Sequence, residues 1–107
     1  MIRKIIIHND AFNDLDKSSA AIGEYSHRAS ARFLQEAQNA FGLLAEYPGI
    51  GALRHYNNPA LPGMRMWPVP RFRKYLIFYF TTEDTVEIIR VLHGAQDIQA
   101  IFSPTEE

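Results

Sequence analysis

The chain predicts an α+β domain of two layers, an antiparallel helical hairpin packed on a small, mostly antiparallel four-stranded sheet. Three observations carry this. Residues 11–47 hold two consecutive stretches whose apolar side chains recur at three, four and seven, the period of a helix face. Residues 64–93 hold three apolar runs separated by turn chemistry, the signature of paired strands. A further short aliphatic run stands at the start. Helices grouped beside strands that follow one another indicate segregated layers, in the order β-α-α-β-β-β-short α.

Taken in order, Ile2 to His8 reads as a strand, with Ile5 and Ile7 on one face and Ile6 on the other. Asn9 and Asp10 are both good helix N-caps. Ala11, Phe12, Leu15, Ile22 and Tyr25 then line one side of a first helix, weakened at Gly23 by about 1 kcal/mol relative to alanine. Ser26-His27-Arg28 is the corner. In the second helix Ala29, Phe33, Ala37, Ala40, Leu44 and Tyr47 form one stripe, which Leu34 and Phe41 widen. Pro48-Gly49 with Gly51 ends it, because proline cannot continue the backbone ladder and glycine tolerates the exit. The extra apolar width either packs on the first helix as well as on the sheet or forms a groove for a partner helix.

Residues 52–63 read as a loop, with Asn57-Asn58-Pro59 and Pro62-Gly63 as its turn chemistry. A strand from about Met64 to Val69 has prolines at both ends, which fits an edge or a boundary. Tyr75 to Phe80 is aromatic and β-branched without a polar interruption, so both its faces are covered and its position is central. Thr81 to Thr85 is a polar link of hairpin length. In a regular strand from Val86 to His93, Val86, Ile88, Arg90 and Leu92 share one face and Glu87, Ile89, Val91 and His93 the other. Gly94 breaks that strand, and Asp97 caps a short helix with Ile98, Ile101 and Phe102 on one face. Residues 103–107 have nothing to bury and are expected to fray. Strand order does not follow from this pattern.

At 107 residues the chain is one domain, able to bury roughly 65% of its unfolded surface. It has no cysteine, which excludes disulfides and thiolate metal sites and fits a reducing compartment. No apolar run approaches the ~20 residues of a membrane span, and the amino-terminal aliphatics are too few for a signal peptide. A cytoplasmic protein is the expectation. The net charge of −1 conceals an uneven distribution. Arg54, Arg65, Arg71, Arg73 and Lys74 fall within residues 54–75, where there is no acid. A one-sign stretch can face an anion or an acidic partner, or it can keep a strand edge soluble.

Walker loops, GxGxxG, HExxH and CxxC are all missing, and the four histidines have no ligand spacing, so no cofactor and no metal are expected. What remains is cations and aromatics. Arg65, Arg90 and His93 lie in or at the ends of the sheet, where rigid strands could hold them against a phosphate. Each has a structural alternative. Arg90 can pair with a carboxylate such as Asp97 or bond a helix end, and His93 can hydrogen-bond backbone at the strand end. Trp67 and Phe72 read as core rather than as a base-stacking platform. Ribonucleolytic transfer needs an acid, a base and cations on the phosphate. The chain has no tyrosine after Tyr79 and no lysine after Lys74, so that constellation is thin.

LPG-x-R-x-W-P-V at Leu61–Val69, F-x-K-Y-L-I-F-Y at Phe72–Tyr79 and E-I-I-R-V-L-H-G-A-x-D-I at Glu87–Ile98 resemble the ParE branch of the RelE/ParE toxin superfamily. The helix with Ala29, Arg32 and Phe33 and the ending Tyr47-Pro48-x-x-Gly51 resemble it too. The resemblance implies a bacterial toxin of a type II toxin–antitoxin pair, with a cognate antitoxin, ParD-like or other, that folds as it wraps the toxin. Phe33, Leu34 and Phe41 are then the antitoxin-binding candidates. ParE-like members inhibit DNA gyrase without an active site of their own, which makes Arg65, Arg71, Arg73 and Lys74 the target-binding candidates. RelE-like members instead cleave mRNA on the ribosome, and under that alternative Arg65, Arg90 and His93 are catalytic. The absent terminal tyrosine favours the gyrase reading.

Overall fold

The computed structural model describes residues 2–104. The elements are β1 (Lys4–Ile7), α1 (Asn9–Gly23), α2 (His27–Glu46), β2 (Ala52–Leu53), β3 (Arg65–Val69), β4 (Phe72–Thr81), β5 (Thr85–His93) and α3 (Ile98–Phe102). The α+β layering holds, but the sheet has five strands in the order β1-β5-β4-β3-β2, not four. The additional strand, β2, is two residues within the expected loop, paired with Arg65 and Met66 of β3. The sheet is mixed, because β1 runs parallel to β5. The helical hairpin carries the chain from β1 at one sheet edge to β2 at the other, and the antiparallel run β2 to β5 leads back to it. β3 is therefore not an edge. Its Pro68 lies beyond the two residues that β2 covers, where a missing N–H costs no pairing on that side.

β4 is central, as its unbroken apolar run requires. One core, built from Phe33, Ala37, Leu44, Ile77, Tyr79, Val86, Ile88 and Val91 among others, lies between the helices and the sheet. A second, with Met64, Phe78, Ile89, Leu92 and Phe102, lies on the other face under α3. Those memberships break the simple alternation expected for β5. Phe78 opposes Arg90 and Tyr79 opposes Ile88, so Ile89 is an extra residue and β5 carries a bulge there. Val86 and Ile88 face the helices, whereas Leu92 faces away from them.

The first helix departs from its expected stripe. Ala11 and Leu15 are buried, but Phe12 is half exposed and Tyr25, beyond the helix end, is 91% exposed. Neither Asn9 nor Asp10 is the N-cap; His8 holds that position without a side-chain bond. Ser26 does cap α2, its hydroxyl accepting from the Ala29 N–H at 3.1 Å. Ser30 Oγ donates to the Ser19 carbonyl at 2.8 Å and fastens the two helices near their corner. Asp97 caps α3, accepting from the Ala100 N–H at 3.1 Å. Of the tail expected to fray, Thr105, Glu106 and Glu107 lie outside the described residues, whereas Ser103 still bonds the Gln99 carbonyl.

Candidate functional site

The sequence-derived site residues lie on α2 and on the strands and turns from Arg65 to His93, and the structure distributes them over four local arrangements. The first is the α2 exit. Tyr79, buried in β4, donates its hydroxyl to the Pro48 carbonyl at 2.8 Å and accepts from the Gly51 N–H at 2.9 Å. Burial pushes its phenol up, against the smaller opposing effects of the Gly51 bond and the Arg65 charge. Gly51 permits this approach, since a Cβ there would meet the hydroxyl and come within 2.9 Å of the Met66 carbonyl. Arg65 sends one guanidinium nitrogen to the carbonyls of Gly51 at 2.7 Å and Gly49 at 3.2 Å. It satisfies two carbonyls of the loop that follows the helix.

Arg90 belongs to a second arrangement. It is a structural arginine, but its partner is Asp14 of α1 rather than Asp97. Nε and one terminal nitrogen engage the two carboxylate oxygens at 2.7 and 2.9 Å, a two-pronged geometry. The bond to Asp14 raises the Arg90 pKa, over the opposing effect of burial. Asp14 also accepts from the Val91 N–H at 2.9 Å. β1 pairs with β5 only as far as Ile88, so beyond that point the β5 edge needs another acceptor, and α1 provides it. Asp14 is the residue that sequence reasoning missed. The signal was available: a carboxylate three residues after Ala11 and next to Leu15 sits on the apolar stripe, and a buried carboxylate needs a cation.

The third arrangement is the turn after β5. The His93 backbone N–H donates to Gln96 Oε1 at 2.7 Å, and His93 Nδ1 accepts the Ala95 N–H at 3.0 Å. A ring nitrogen that accepts carries no proton, so the neutral imidazole keeps its hydrogen on Nε2. The ring edge packs on Tyr75 with centroids 4.9 Å apart. Arg73 and Lys74, both exposed, share with His93 and Gly94 the lining of a cleft of about 380 Å³. Arg71 lies apart, in the β3–β4 turn, at φ 70 and paired with Glu36 of α2 at 3.0 Å. Arg65 and Arg90 do not line this cleft, so the residues a nuclease would combine are not brought together.

The helical face is the fourth. Phe33 is fully buried, with its ring 5.4 Å from Phe72 and 4.9 Å from Tyr75. Phe41 is also buried yet lines a groove of about 250 Å³ with Phe12, Leu15 and Leu34, of which Phe12 and Leu34 are exposed. Trp67 and Phe72 pack against the helix-side core, as expected of them. Among the described residues no cluster of three or more His, Asp or Glu could hold a metal ion, and no helix is long and apolar enough to cross a membrane.

A helical hairpin packed on a mixed five-stranded sheet, with a basic strand end, defines the class: a small α+β domain. The sequence model of the ParE toxin of the type II toxin–antitoxin system parDE matches residues 5–98, and the chain belongs to that family. In three dimensions it is similar to a chain of the chromosomal ParDE toxin–antitoxin system from P. aeruginosa. That likeness has a TM-score of 0.69 at 16% identity, over 86% of this chain and 96% of the other, and it shows the shared fold. No curated protein matches the chain.

Proposed function

We propose that this ParE-family toxin inhibits DNA gyrase by binding it in the cytoplasm of a bacterium, and that a cognate antitoxin neutralises it. The observation that carries the non-enzymatic reading is the commitment of the three catalytic candidates. Arg65 is engaged by the Gly49 and Gly51 carbonyls, Arg90 by Asp14, and His93 Nδ1 by the Ala95 N–H. A general base must present an unprotonated nitrogen to its substrate, and His93 presents Nε2–H instead. Arg71, Arg73 and Lys74 remain the candidates for target contact. The antitoxin surface that fits best is the helical groove with Leu34 at its rim, joined by Phe12 rather than Phe33. An apolar segment that folds on binding would cover it.

The test uses purified, antitoxin-free protein with gyrase and relaxed plasmid, scoring supercoiling and trapped linear DNA, with a ribosome-programmed mRNA as parallel substrate. Trapped breaks with intact message are the expected result. Cut message with unaffected gyrase would replace this reading with the RelE-like endoribonuclease.

A further inference from the structure

We infer that the cleft formed by Arg73, Lys74 and His93 at the end of β5 is a binding site for a backbone phosphate of DNA, held without cleavage. The inference rests on the gyrase reading only for its choice of DNA as the nucleic acid.

The site is built by a departure from regular strand geometry and by the turn that follows β5. Along β3 and β4, Pro68 pairs with Leu76 but Val69 pairs with Phe72, which leaves Arg73, Lys74 and Tyr75 without partners on β3. That irregularity lets two consecutive residues, which would otherwise point to opposite faces, border one cleft. On the other side, the Gly94 N–H donates to the Lys74 carbonyl at 2.7 Å and ties the turn to the bulged segment. The imidazole of His93 is held from two directions, by the Ala95 N–H and by the Tyr75 ring. Its Nε2–H is therefore a positioned donor rather than a mobile one.

The charge is one-signed. The cleft is lined by Arg73, Lys74, Leu76, His93, Gly94 and Ala95, with no carboxylate among them. Of the five cations in residues 54–75, Arg71 is paired with Glu36 and Arg65 is bonded to loop carbonyls. Among the described residues neither Arg73 nor Lys74 has an ion-pair partner within 4.0 Å. Three separate donors suit the several oxygens of a phosphate better than the planar pair of a carboxylate, which one two-pronged arginine would serve. Leu76 and Ala95 offer an apolar wall for the adjoining sugar. The lining holds no carboxylate, and a DNA phosphodiester has no 2′-hydroxyl to attack it, so the phosphate is held without cleavage.

The probe is a fluorescent 20-nucleotide single-stranded DNA, titrated with antitoxin-free protein between 50 and 200 mM salt. One phosphate contact predicts an affinity loss of roughly 2.6-fold over that range, from a slope of about −0.7. Arg73→Gln with Lys74→Gln should weaken binding at least tenfold and remove most of the salt dependence; His93→Gln should weaken it severalfold. Lys17→Gln with Arg28→Gln, which removes the same charge from exposed helical positions, should change it less than twofold. Three outcomes would overturn the inference: no binding by the wild-type chain, equal losses in the two double variants, or displacement of the DNA by a polyglutamate peptide at matched charge. RNA of the same sequence bound tenfold more tightly would transfer the site to RNA and overturn the assignment to DNA. Because gyrase is absent from this assay, its failure leaves the gyrase reading standing, and a negative gyrase assay leaves the phosphate site standing.

Discussion

Replacing Asp14 by alanine tests the assignment of Arg90 to structure most directly. The carboxylate accepts two bonds from Arg90 and one from the Val91 N–H, all between 2.7 and 2.9 Å. Its side chain is 9% exposed and that of Arg90 27%. The substitution leaves a largely buried guanidinium without its anion and a buried N–H without an acceptor. Breaking such a pair costs about 3–5 kcal/mol, and the orphaned amide alone about 1–3 kcal/mol. Both losses arise from one site and do not add, so the expected total is about 4 kcal/mol. For a chain of this length, an unfolding entropy of about 0.2 kcal/mol/K converts that into a Tm lower by roughly 15–20 °C. Urea unfolding should show the midpoint falling with the slope unchanged. The double replacement Asp14→Leu with Arg90→Met should recover the part of the loss due to the unpaired charge, because an apolar pair needs no counter-charge, and leave the part due to the orphaned Val91 N–H. A loss below 1 kcal/mol for Asp14→Ala, or a double variant no better than the single one, would refute the structural assignment and return Arg90 to the list of groups free to act on a ligand.

Other substitutions examine the remaining arrangements. Tyr79→Phe should cost about 1–3 kcal/mol by orphaning the Pro48 carbonyl and the Gly51 N–H. Its pH dependence has a defined sign. The folded phenol titrates above its unfolded value, so stability is held below about pH 10, the ordinary phenol range, and falls as pH rises through the folded pKa. The variant should lose less stability above that point than the wild type does, and parallel alkaline unfolding curves for the two would contradict the raised pKa. Gly51→Ala should cost about 1–3 kcal/mol through overpacking against Tyr79 and the Met66 carbonyl; a Tm equal to wild type would show that the exit loop yields. Phe33→Ala should cost about 3–5 kcal/mol in chemical unfolding. If the variant keeps its stability and loses only antitoxin binding, Phe33 is a contact residue instead. Arg71→Gly should leave stability within about 1 kcal/mol, because relief of the positive φ offsets an ion pair that is exposed on its Arg71 side; calorimetric loss above about 2 kcal/mol would give that pair, and the mostly buried Glu36 carboxylate, a larger role.

How much of this was legible before the fold was known depends on the range of the interaction. The second helix, the central position of β4 and the cap at Asp97 are set by residues within a few positions, and the sequence states them, whereas Ser26 reads there as part of a corner and proves to be the cap of α2. β2 was hidden because two residues carry no period, and they become a strand only by lying against Arg65 and Met66. The parallel pairing of β1 with β5 was hidden because register across the whole chain leaves no local mark. The bulge at Ile89 was equally silent, since an extra residue in an aliphatic run looks like the run itself. Among the site residues, the cations were visible but their engagement was not. Arg65 and Arg73 read alike in sequence, and only the fold gives the first a set of carbonyls and leaves the second at a cleft.

The contacts between the two ends of the chain set an order of events during synthesis. His8 to Glu87, Asp14 to Arg90 and Arg3 to the Thr82 carbonyl join residues 79, 76 and 79 positions apart. The first strand emerges from the ribosome without its sheet partner, because β5, with which it pairs, is the last of the five strands to be made. The helical hairpin can form early, since its contacts are local. The sheet edge closes only when β5 is released, and the cleft bordered by His93 does not exist before then. A chain wired in this way presents its helical hairpin before its sheet is complete, so the helical face is available for contact before the His93 cleft exists.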